Sequence, residues 1–203
     1  DSIGSTEVIL TWTQVDTSPE VINGFFRGYR IQFGKTDEWP MNIREQDKIF
    51  NDPLQYPRPR VKRDLPGFVE VKVNHLPPYS DITLQVRVLN KYYAGPPSDT
   101  IQFRTMEGQP GPPAMMDVVV RGSTHFELAW EPPYEPNGRL IGYNISYQTI
   151  TGLNLGRLQY RQPVEDPSDT RARLTGLMPD TYYRVFLSAA TRRGKGEPIF
   201  LDM

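Results

Sequence analysis

The chain has 203 residues, no cysteine and a formal net charge of −1 at pH 7. The lack of cysteine excludes disulfides, thiol catalysis and cysteine-ligated metal sites. The near-zero charge excludes a bulk electrostatic attraction to nucleic acid or to an anionic membrane. No apolar run approaches the ~20 residues that cross a bilayer, and residues 1–3 do not resemble a signal peptide. If the chain comes from a membrane protein, we expect its anchor to lie outside this sequence.

The first half of the chain consists of short segments in which apolar and polar residues alternate. This period of two places one set of side chains in a core and the other in water, as in antiparallel strands. The predicted inward-facing residues are Val8, Leu10 and Trp12; Tyr29, Ile31 and Phe33; Val69, Val71 and Val73; and Ile82, Leu84, Val86 and Val88. The residues between them, such as Arg30, Gln32, Gln85 and Arg87, are predicted to face solvent. No amphipathic segment has a convincing helical period.

Residues 106–113 read Met-Glu-Gly-Gln-Pro-Gly-Pro-Pro and separate the two halves of the chain. Proline has no backbone donor and favours an extended chain, so this stretch is predicted to be a semi-stiff spacer. We therefore place the domain boundary here, with a first unit at 1–106 and a second unit at 107–203.

The second half repeats the residue pattern of the first. Each copy has a tryptophan, then Gly-Tyr-x-Ile-x-aromatic, then Leu-x-Pro before an alternating strand, and then a glycine turn. These features lie at Trp12, 28–33, 76–78 and Gly95 in the first copy, and at Trp130, 142–147, 177–179 and Gly196 in the second. The inward-facing residues of the second copy are predicted to be Phe126, Leu128 and Trp130; Tyr143, Ile145 and Tyr147; and Tyr183, Val185, Leu187 and Ala189. About 100 residues can close the core of one β-sandwich, so we predict an all-β chain of two tandem antiparallel β-sandwiches.

Several motifs of the second unit resemble the fibronectin type III family, whose fold is an immunoglobulin-like sandwich. They are Trp-Glu-Pro-Pro at 130–133, Asn-Gly at 137–138, Gly-Tyr-Asn-Ile-Ser-Tyr at 142–147 and Leu-Met-Pro-Asp-Thr-Tyr-Tyr at 177–183. The resemblance implies a tyrosine corner, in which the hydroxyl of Tyr183 bonds the backbone upstream. The first unit has Ile82 at this position, so we expect no such bond there. Little room is left before Trp12 for strand A, which we expect to be largely missing.

The whole chain further resembles the third and fourth fibronectin repeats of the neuroglian/neurofascin family of neural adhesion molecules. The matching segments are Phe-Arg-Gly-Tyr at 26–29, Leu-Pro-Pro-Tyr-Ser at 76–80, Met-Glu-Gly-Gln-Pro-Gly at 106–111 and Ala-Thr-Arg-Arg-Gly-Lys-Gly-Glu at 190–197. The resemblance implies an extracellular segment of a type I receptor in the neuronal cell membrane, with immunoglobulin domains before it and one membrane span after it. The implied partners are other cell-surface or matrix proteins, bound in homophilic or heterophilic adhesion, and no cofactor is implied.

The first unit carries a basic insertion between strands C and E. From the tyrosine of Gly-Tyr to the leucine of Leu-x-Pro there are 47 residues in the first unit (29 to 76) and 34 in the second (143 to 177), a difference of 13. Within the insertion, Arg60-Val61-Lys62-Arg63 before Asp64 matches the Arg-x-Lys-Arg sequence that furin-type proprotein convertases cut after the last arginine. Two nearby prolines favour the extended backbone that such proteases need. The alternative is a solvated basic loop, or an anion site for heparan sulfate, formed by Arg58, Arg60, Lys62 and Arg63.

Two further surface candidates lie in the second unit. Asn144-Ile145-Ser146 is an N-glycosylation sequon, and the inward direction predicted for Ile145 turns Asn144 towards solvent. The loop between strands F and G contains Arg192, Arg193 and Lys195, which could contact an anion or an acidic partner. For this loop, contact with the first unit or simple solvation is the alternative.

Two aromatic pairs lie in the BC and FG loops of the first unit, which meet at one end of a sandwich. They are Phe25 with Phe26 and Tyr92 with Tyr93. Aromatic residues at loop tips are frequent interface anchors, but these four could instead cap the core beneath the insertion. Of the three tryptophans, Trp12 and Trp130 are predicted core residues.

The chain offers poor material for catalysis. Its two histidines, His75 and His125, lie in different units, and Glu165 and Asp166 form an acidic pair in a proline-flanked loop. There is no glycine-rich phosphate loop, His-Glu-x-x-His motif or EF-hand pattern. We therefore predict a binding protein without enzymatic activity, metal or small-molecule substrate. The alternatives to an adhesion receptor are another signalling receptor, such as a receptor phosphatase or a cytokine-receptor-like protein, and a matrix spacer.

Overall fold

In the computed structural model, which describes residues 2–50 and 67–203, the chain forms two compact units, Asp1–Met106 and Glu107–Met203. Each unit consists of two antiparallel sheets that enclose a hydrophobic core of its own. The prediction of an all-β fold with two tandem sandwiches is confirmed.

Among its described residues, the first unit has a three-stranded and a five-stranded sheet. The smaller sheet has the order β1-β2-β5, with β1 at Ser2–Ile3, β2 at Glu7–Thr13 and β5 at Phe68–Asn74. The larger sheet has the order β4-β3-β6-β7, and β8 also pairs with β6. Its strands are β3 at Phe26–Lys35, β4 at Arg44–Ile49, β6 at Asp81–Asn90, β7 at Ala94–Pro97 and β8 at Ile101–Arg104. Strand A corresponds to β1, whose two residues pair only with the first part of β2.

One turn of helix, α1 at Pro19–Ile22, interrupts the loop between β2 and β3. Proline suits the first helical position because its missing N–H would have no partner there. The helix ends at Asn23, whose φ of 52° lies in the left-handed region that asparagine tolerates. Four residues are too few to produce a helical period, so this single turn is compatible with the all-β prediction.

The second unit has the same plan with a longer strand A. Its smaller sheet has the order β14-β10-β9, with β9 at Met115–Arg121, β10 at His125–Glu131 and β14 at Arg171–Thr175. In the larger sheet, β11 pairs with β12, β13 and β15, and β15 pairs with β16 and β17. These strands are β11 at Leu140–Thr151, β12 at Asn154–Leu155, β13 at Gln159–Tyr160, β15 at Tyr182–Thr191, β16 at Gly194–Lys195 and β17 at Ile199–Asp202.

The alternating residues form the two cores as predicted. Every predicted inward-facing residue is buried or packs against a core as a partly buried residue. In each core a tryptophan meets the tyrosine of the Gly-Tyr motif edge to face, with ring centroids 5.1 Å apart for Trp12 and Tyr29 and 5.2 Å apart for Trp130 and Tyr143. Trp130 is buried, whereas Trp12 is half-buried, so burial is deeper in the second unit at this position.

The glycine of the Gly-Tyr motif recurs because a side chain would not fit there. Gly28 and Gly142 have φ values of 156° and 146°. A Cβ at Gly28 would overlap the carbonyl oxygen of Lys48, and one at Gly142 would overlap that of Val164. Both glycines lie where the strand shifts its register against the next strand, which is a common place for glycine.

The two units close the turn before strand F, which is β6 in the first unit and β15 in the second, in different ways. In the second unit the Tyr183 hydroxyl accepts a hydrogen bond from the Met178 N–H at 2.9 Å, which confirms the predicted tyrosine corner. In the first unit a buried threonine, Thr105, takes over this role from the end of the last strand. Its hydroxyl donates to the Pro77 carbonyl at 2.7 Å and accepts from the Ser80 N–H at 2.9 Å.

Residues predicted to form a spacer are hydrogen-bonded within the two units. In the first unit the Met106 N–H donates to the Gly4 carbonyl at 3.0 Å. In the second unit the Gly108 N–H donates to the Asn137 carbonyl at 2.7 Å, and the Gly108 carbonyl accepts from the Thr191 hydroxyl at 2.7 Å. These residues are therefore parts of the sandwiches rather than a free extended spacer.

Candidate functional site

The structure separates the four loop aromatics of the first unit into two groups. Phe26 is 6% exposed and its ring contacts those of Tyr29 and Phe50, so it is a core residue and not a surface contact. Phe25, Tyr92 and Tyr93 are 77%, 72% and 76% exposed. These three residues, which we call the loop aromatic cluster, display large apolar surface at one end of the sandwich.

Asn90 ties together the two loops that carry this cluster. Its side-chain nitrogen donates to the carbonyl oxygens of Ile22 and Asn23 in the BC loop, at 3.3 and 3.2 Å. Its side-chain oxygen accepts from the N–H groups of Tyr92 and Tyr93, at 2.8 and 2.7 Å. The hydrogen bonds to Tyr92 and Tyr93 are a common use of asparagine in turns. The hydrogen bonds to the BC loop join residues 67 and 68 positions apart, which is why Asn90 could not be predicted from the sequence.

A concavity of about 300 Å³ lies beside the cluster, and its lining includes Arg27, Arg30, Asp47 and Lys91. The Arg30 guanidinium donates to both oxygens of Asp47, at 2.8 and 2.9 Å. This paired hydrogen bond lowers the pKa of Asp47 and raises the pKa of Arg30. Asp47 is therefore ionised at neutral pH, and Arg27 and Lys91 add positive charge to an aromatic surface. The surface beside the loop aromatic cluster therefore carries a net positive charge.

The basic loop of the second unit is exposed but partly bound to its own unit. Arg192 and Arg193 occupy the turn between β15 and β16, and Lys195 lies in β16. The Arg193 Nε donates to the Glu107 carbonyl at 3.3 Å, and its N–H donates to the Thr191 hydroxyl at 3.2 Å. The loop therefore packs on the first residues of the second unit through Arg193, and Arg192 and Lys195 are exposed.

The predicted cleavage residues Arg60, Val61, Lys62, Arg63 and Asp64, together with Arg58, lie outside the described residues. The described chain ends on one side of them with β4, at the edge of the larger sheet, and resumes with β5 in the smaller sheet. A cut in this segment would leave β1 to β4 in one piece and β5 to β8 in the other. Strands of the two pieces pair with each other within the smaller sheet and within the larger sheet.

Asn144 lies in β11 between Tyr143 and Ile145, which are each 1% exposed. Asn144 itself is half-buried on the opposite, outer face of the sheet. It pairs with Ser188 of β15. The outward direction predicted from the sequence is confirmed, and whether a glycan occupies Asn144 stays a prediction.

The acidic pair of the second unit forms an ordinary turn. Asp166 accepts hydrogen bonds from the Ser168 hydroxyl at 2.7 Å and from the Ser168 N–H at 2.8 Å, and these bonds lower its pKa. Among the described residues, no three His, Asp or Glu side chains form a cluster that could hold a metal ion. None of the helices in the part of the chain that the structure describes is long and apolar enough to cross a bilayer.

The chain is similar to neural cell adhesion molecules over nearly its whole length. Residues 111–199 match the fibronectin type III domain family. Neuroglian of Drosophila melanogaster is 33% identical over 199 residues, which cover 98% of this chain and 14% of neuroglian. Human neural cell adhesion molecule L1 is 31% identical over 197 residues, which cover 97% of this chain and 14% of human L1. Chicken neurofascin is 31% identical over 203 residues, which cover 97% of this chain and 14% of neurofascin. The chain thus spans a small part of the length of the curated relatives it matches.

Proposed function

Because this chain is a pair of fibronectin type III repeats that belongs with the L1-type neural cell adhesion molecules, we propose that it is an extracellular spacer and interaction segment of a neuronal adhesion receptor. The similarity over nearly the whole chain is the observation that carries this proposal. The segment is not an enzyme, because its relatives are adhesion molecules built from non-enzymatic repeats. Its placement on the outer side of the cell membrane is part of the proposal.

The loop aromatic cluster is the surface we propose for adhesive contacts with other cell-surface proteins. Phe25, Tyr92 and Tyr93 together expose three large rings, and aromatic residues held at the tips of ordered loops frequently anchor interfaces. The nearby Arg27 and Lys91 favour an acidic partner. Heparan sulfate is a further proposed ligand for the basic residues Arg192, Arg193 and Lys195.

Adhesion is tested with beads that carry the whole 203-residue chain and are presented to cultured neurons. We expect the wild-type beads to bind, and the triple variant Phe25→Ser/Tyr92→Ser/Tyr93→Ser to bind at least tenfold less. Tyr134→Ser is the matched control, because Tyr134 is an 86% exposed ring of the second unit. Equal binding by all three bead types would show that the cluster is not the contact surface. Heparinase treatment of the neurons separates a sugar ligand from a protein ligand.

We further propose that a proprotein convertase hydrolyses the peptide bond between Arg63 and Asp64, with one water consumed to give a new carboxylate and a new amine. The two pieces should stay associated. On the N-terminal side β2 pairs with β5 over seven residue pairs, and β3 pairs with β6 over nine. Both of these partners, β5 and β6, lie on the C-terminal side of the cut.

The cleavage proposal is tested by secretion of the chain from convertase-containing cells. We expect intact mass under denaturing conditions to show two pieces that meet at Arg63 and Asp64, and size exclusion under native conditions to show one particle. Arg60→Ala/Arg63→Ala should remain a single chain. Arg58→Ala is the matched control, since it removes a charge outside the four-residue motif and should be cut like the wild type. A wild-type chain that stays whole would leave the basic residues as an anion-binding loop.

Secretion also exposes Asn144 to N-glycosylation, which we propose as a modification of this segment. In that reaction the side-chain amide of Asn144 attacks the anomeric carbon of an oligosaccharide carried on a lipid diphosphate. The amide loses one proton and the diphosphate leaves. The half-buried position on the outer face of β11 supports this proposal, because the sugar would extend into solvent without displacing Tyr143 or Ile145 from the core.

A further inference from the structure

The outer face of the larger sheet of the second unit carries a row of aromatic side chains beside the sequon. Ser146 of β11 pairs with Tyr160 of β13 on one side and with Phe186 of β15 on the other. Phe186 in turn pairs with Phe200 of β17. Directly paired residues of antiparallel strands point to the same face, so these four residues form one line across four strands. We call Tyr160, Phe186 and Phe200 the aromatic row.

Contacts within the sheet cover only part of this row. The rings of Phe186 and Phe200 are 6.0 Å apart, and the Arg184 guanidinium lies 4.6 Å from the centre of the Phe200 ring. These contacts stabilise the sheet. They nevertheless leave Phe200 57% exposed and Tyr160 72% exposed. The exposed rings of Tyr160 and Phe200 lie at the two ends of the row, so apolar surface on this outer sheet face is left for a further group to cover.

The small side chain of Ser146 creates a slot within the row. Neighbouring strands are about 4.8 Å apart, so Tyr160 and Phe186, on either side of β11, are separated by about 10 Å. Between them Ser146 supplies only a hydroxymethyl group. A pyranose ring is about half as wide as this gap, and the apolar faces of sugar rings pack well on aromatic rings. The slot therefore has the width and the chemistry to hold one sugar.

Asn144 stands at the entrance of this slot. It lies two residues before Ser146 on the same strand, so its side chain points to the same face about 7 Å away. Diagonal neighbours across paired strands are about 7–8 Å apart, which places Tyr160 and Phe186 within reach of a group attached to Asn144. In the other direction Asn144 borders a concavity of about 300 Å³ beside Gly142, but the aromatic residue in its lining, Tyr143, is buried in the core. The sequon and the slot thus share one face and adjacent positions.

We propose that the first N-acetylglucosamine linked to Asn144 packs over Ser146, between the rings of Tyr160 and Phe186, and stabilises the second unit. This inference rests on the proposed secretion and glycosylation of the segment, and it adds a specific seat and a structural role for the glycan. The sequon and the seat use the same residue, because Ser146 is both the required hydroxyl residue of the sequon and the floor of the slot.

The test uses the whole chain secreted from cells that make oligomannose glycans. One enzyme trims the glycan to its first sugar, and another removes it completely by hydrolysing the side-chain amide, which leaves an aspartate at position 144 in every variant. The thermal midpoint of the second unit is measured by hydrogen exchange in β11 and β15. We expect this midpoint to stay unchanged after trimming. Complete removal should lower it by ~2–5 °C. Protons of the first sugar should show upfield ring-current shifts in NMR spectra.

Two variants make this result specific for the slot. In Tyr160→Ser/Phe186→Ser, complete removal of the glycan should leave the midpoint unchanged, because the contacts are already lost. Tyr134→Ser, which removes an exposed ring outside the row, should keep the full decrease. The comparison is made within each variant, so a lower stability of the double variant itself does not affect it.

Three outcomes would overturn the inference. If Asn144 of the secreted chain carries no glycan, the inference is wrong. The bead assay with neurons still tests the adhesive function separately. An equal decrease in wild type and double variant would place the sugar elsewhere, such as in the concavity of about 300 Å³ lined by Pro163, Glu165 and Lys195. Self-association of Asn144→Gln that depends on Tyr160 and Phe186 would identify the row as a contact between two copies of the chain.

Discussion

The outer faces of the two larger sheets carry different side chains at equivalent strand positions, polar in the first unit and largely aromatic in the second. In the first unit Gln32 pairs with Glu45 and Gln85, and its side chain hydrogen-bonds both of them, at 2.7 and 2.8 Å. In the second unit the corresponding line is Ser146 with Tyr160 and Phe186. The inward positions of both units stay apolar because each must fill a core. The outward positions are free of this demand, and they differ between the units.

The largest expected effect tests whether the two cores are equivalent. Trp130→Ala should destabilise the second unit by about 3–5 kcal/mol, because it removes a buried ring packed on Tyr143. Trp12→Ala should cost the first unit about half as much, since Trp12 is already half-buried. Urea unfolding of the whole chain, followed by hydrogen exchange in β3 and β11, reports each unit separately. Equal losses would mean that the partial exposure of Trp12 has no energetic consequence.

A second comparison concerns the turn before strand F. Tyr183→Phe leaves the Met178 N–H without its partner, and Thr105→Val does the same to the Ser80 N–H and the Pro77 carbonyl. Each substitution should destabilise its own unit by about 0.5–1.5 kcal/mol, the typical net contribution of an intramolecular hydrogen bond. Urea unfolding with hydrogen exchange in β3 and β11 again reports the stability of each unit. If Thr105→Val proves neutral, the threonine does not replace the tyrosine corner, and the first unit closes this turn by packing alone.

The smallest expected effect concerns acid stability. Hydrogen bonding to Arg30 lowers the pKa of Asp47 below its usual 3.8. A carboxylate with a lowered folded-state pKa contributes stability above its unfolded pKa and loses it as the pH falls below that value. Asp47→Asn should therefore destabilise the first unit by about 0.2–1 kcal/mol at pH 6, and the difference from wild type should shrink as the pH falls below 3.8 and through the lowered pKa of Asp47. A difference that stays constant over this pH range would assign the effect to packing rather than charge.

The inward faces of both units could be predicted from the sequence because period-two alternation is a local signal. The Gly-Tyr glycines, the tryptophans and Tyr183 could be placed in the same way, since each occurs twice or belongs to a family motif. The outward direction of Asn144 followed directly from the burial of Ile145.

The features that could not be predicted depend on partners distant in sequence. Thr105 bonds residues 25 and 28 positions earlier, and Asn90 reaches back 67 and 68 positions. Nothing in the local composition of 106–113 reveals that Met106 and Gly108 bond into separate units. The aromatic row was missed because Tyr160, Phe186 and Phe200 are adjacent only through strand register, and two-residue β13 gives almost no periodic signal.

The bonds of Asn90 affect how the first unit can bind a partner. A partner that docks on two independent loops must freeze both of them, and each immobilised side chain adds an entropic penalty of about 0.5–1.5 kcal/mol to association. Here one side chain holds the BC and FG loops in a single arrangement before any partner arrives. Asn90→Asp keeps the size of the side chain but replaces its donor with an acceptor facing the carbonyls of Ile22 and Asn23. This change, which slow deamidation of Asn90 would also produce, would release the BC loop from the FG loop. A partner would then have to order both loops, and its binding would be weaker.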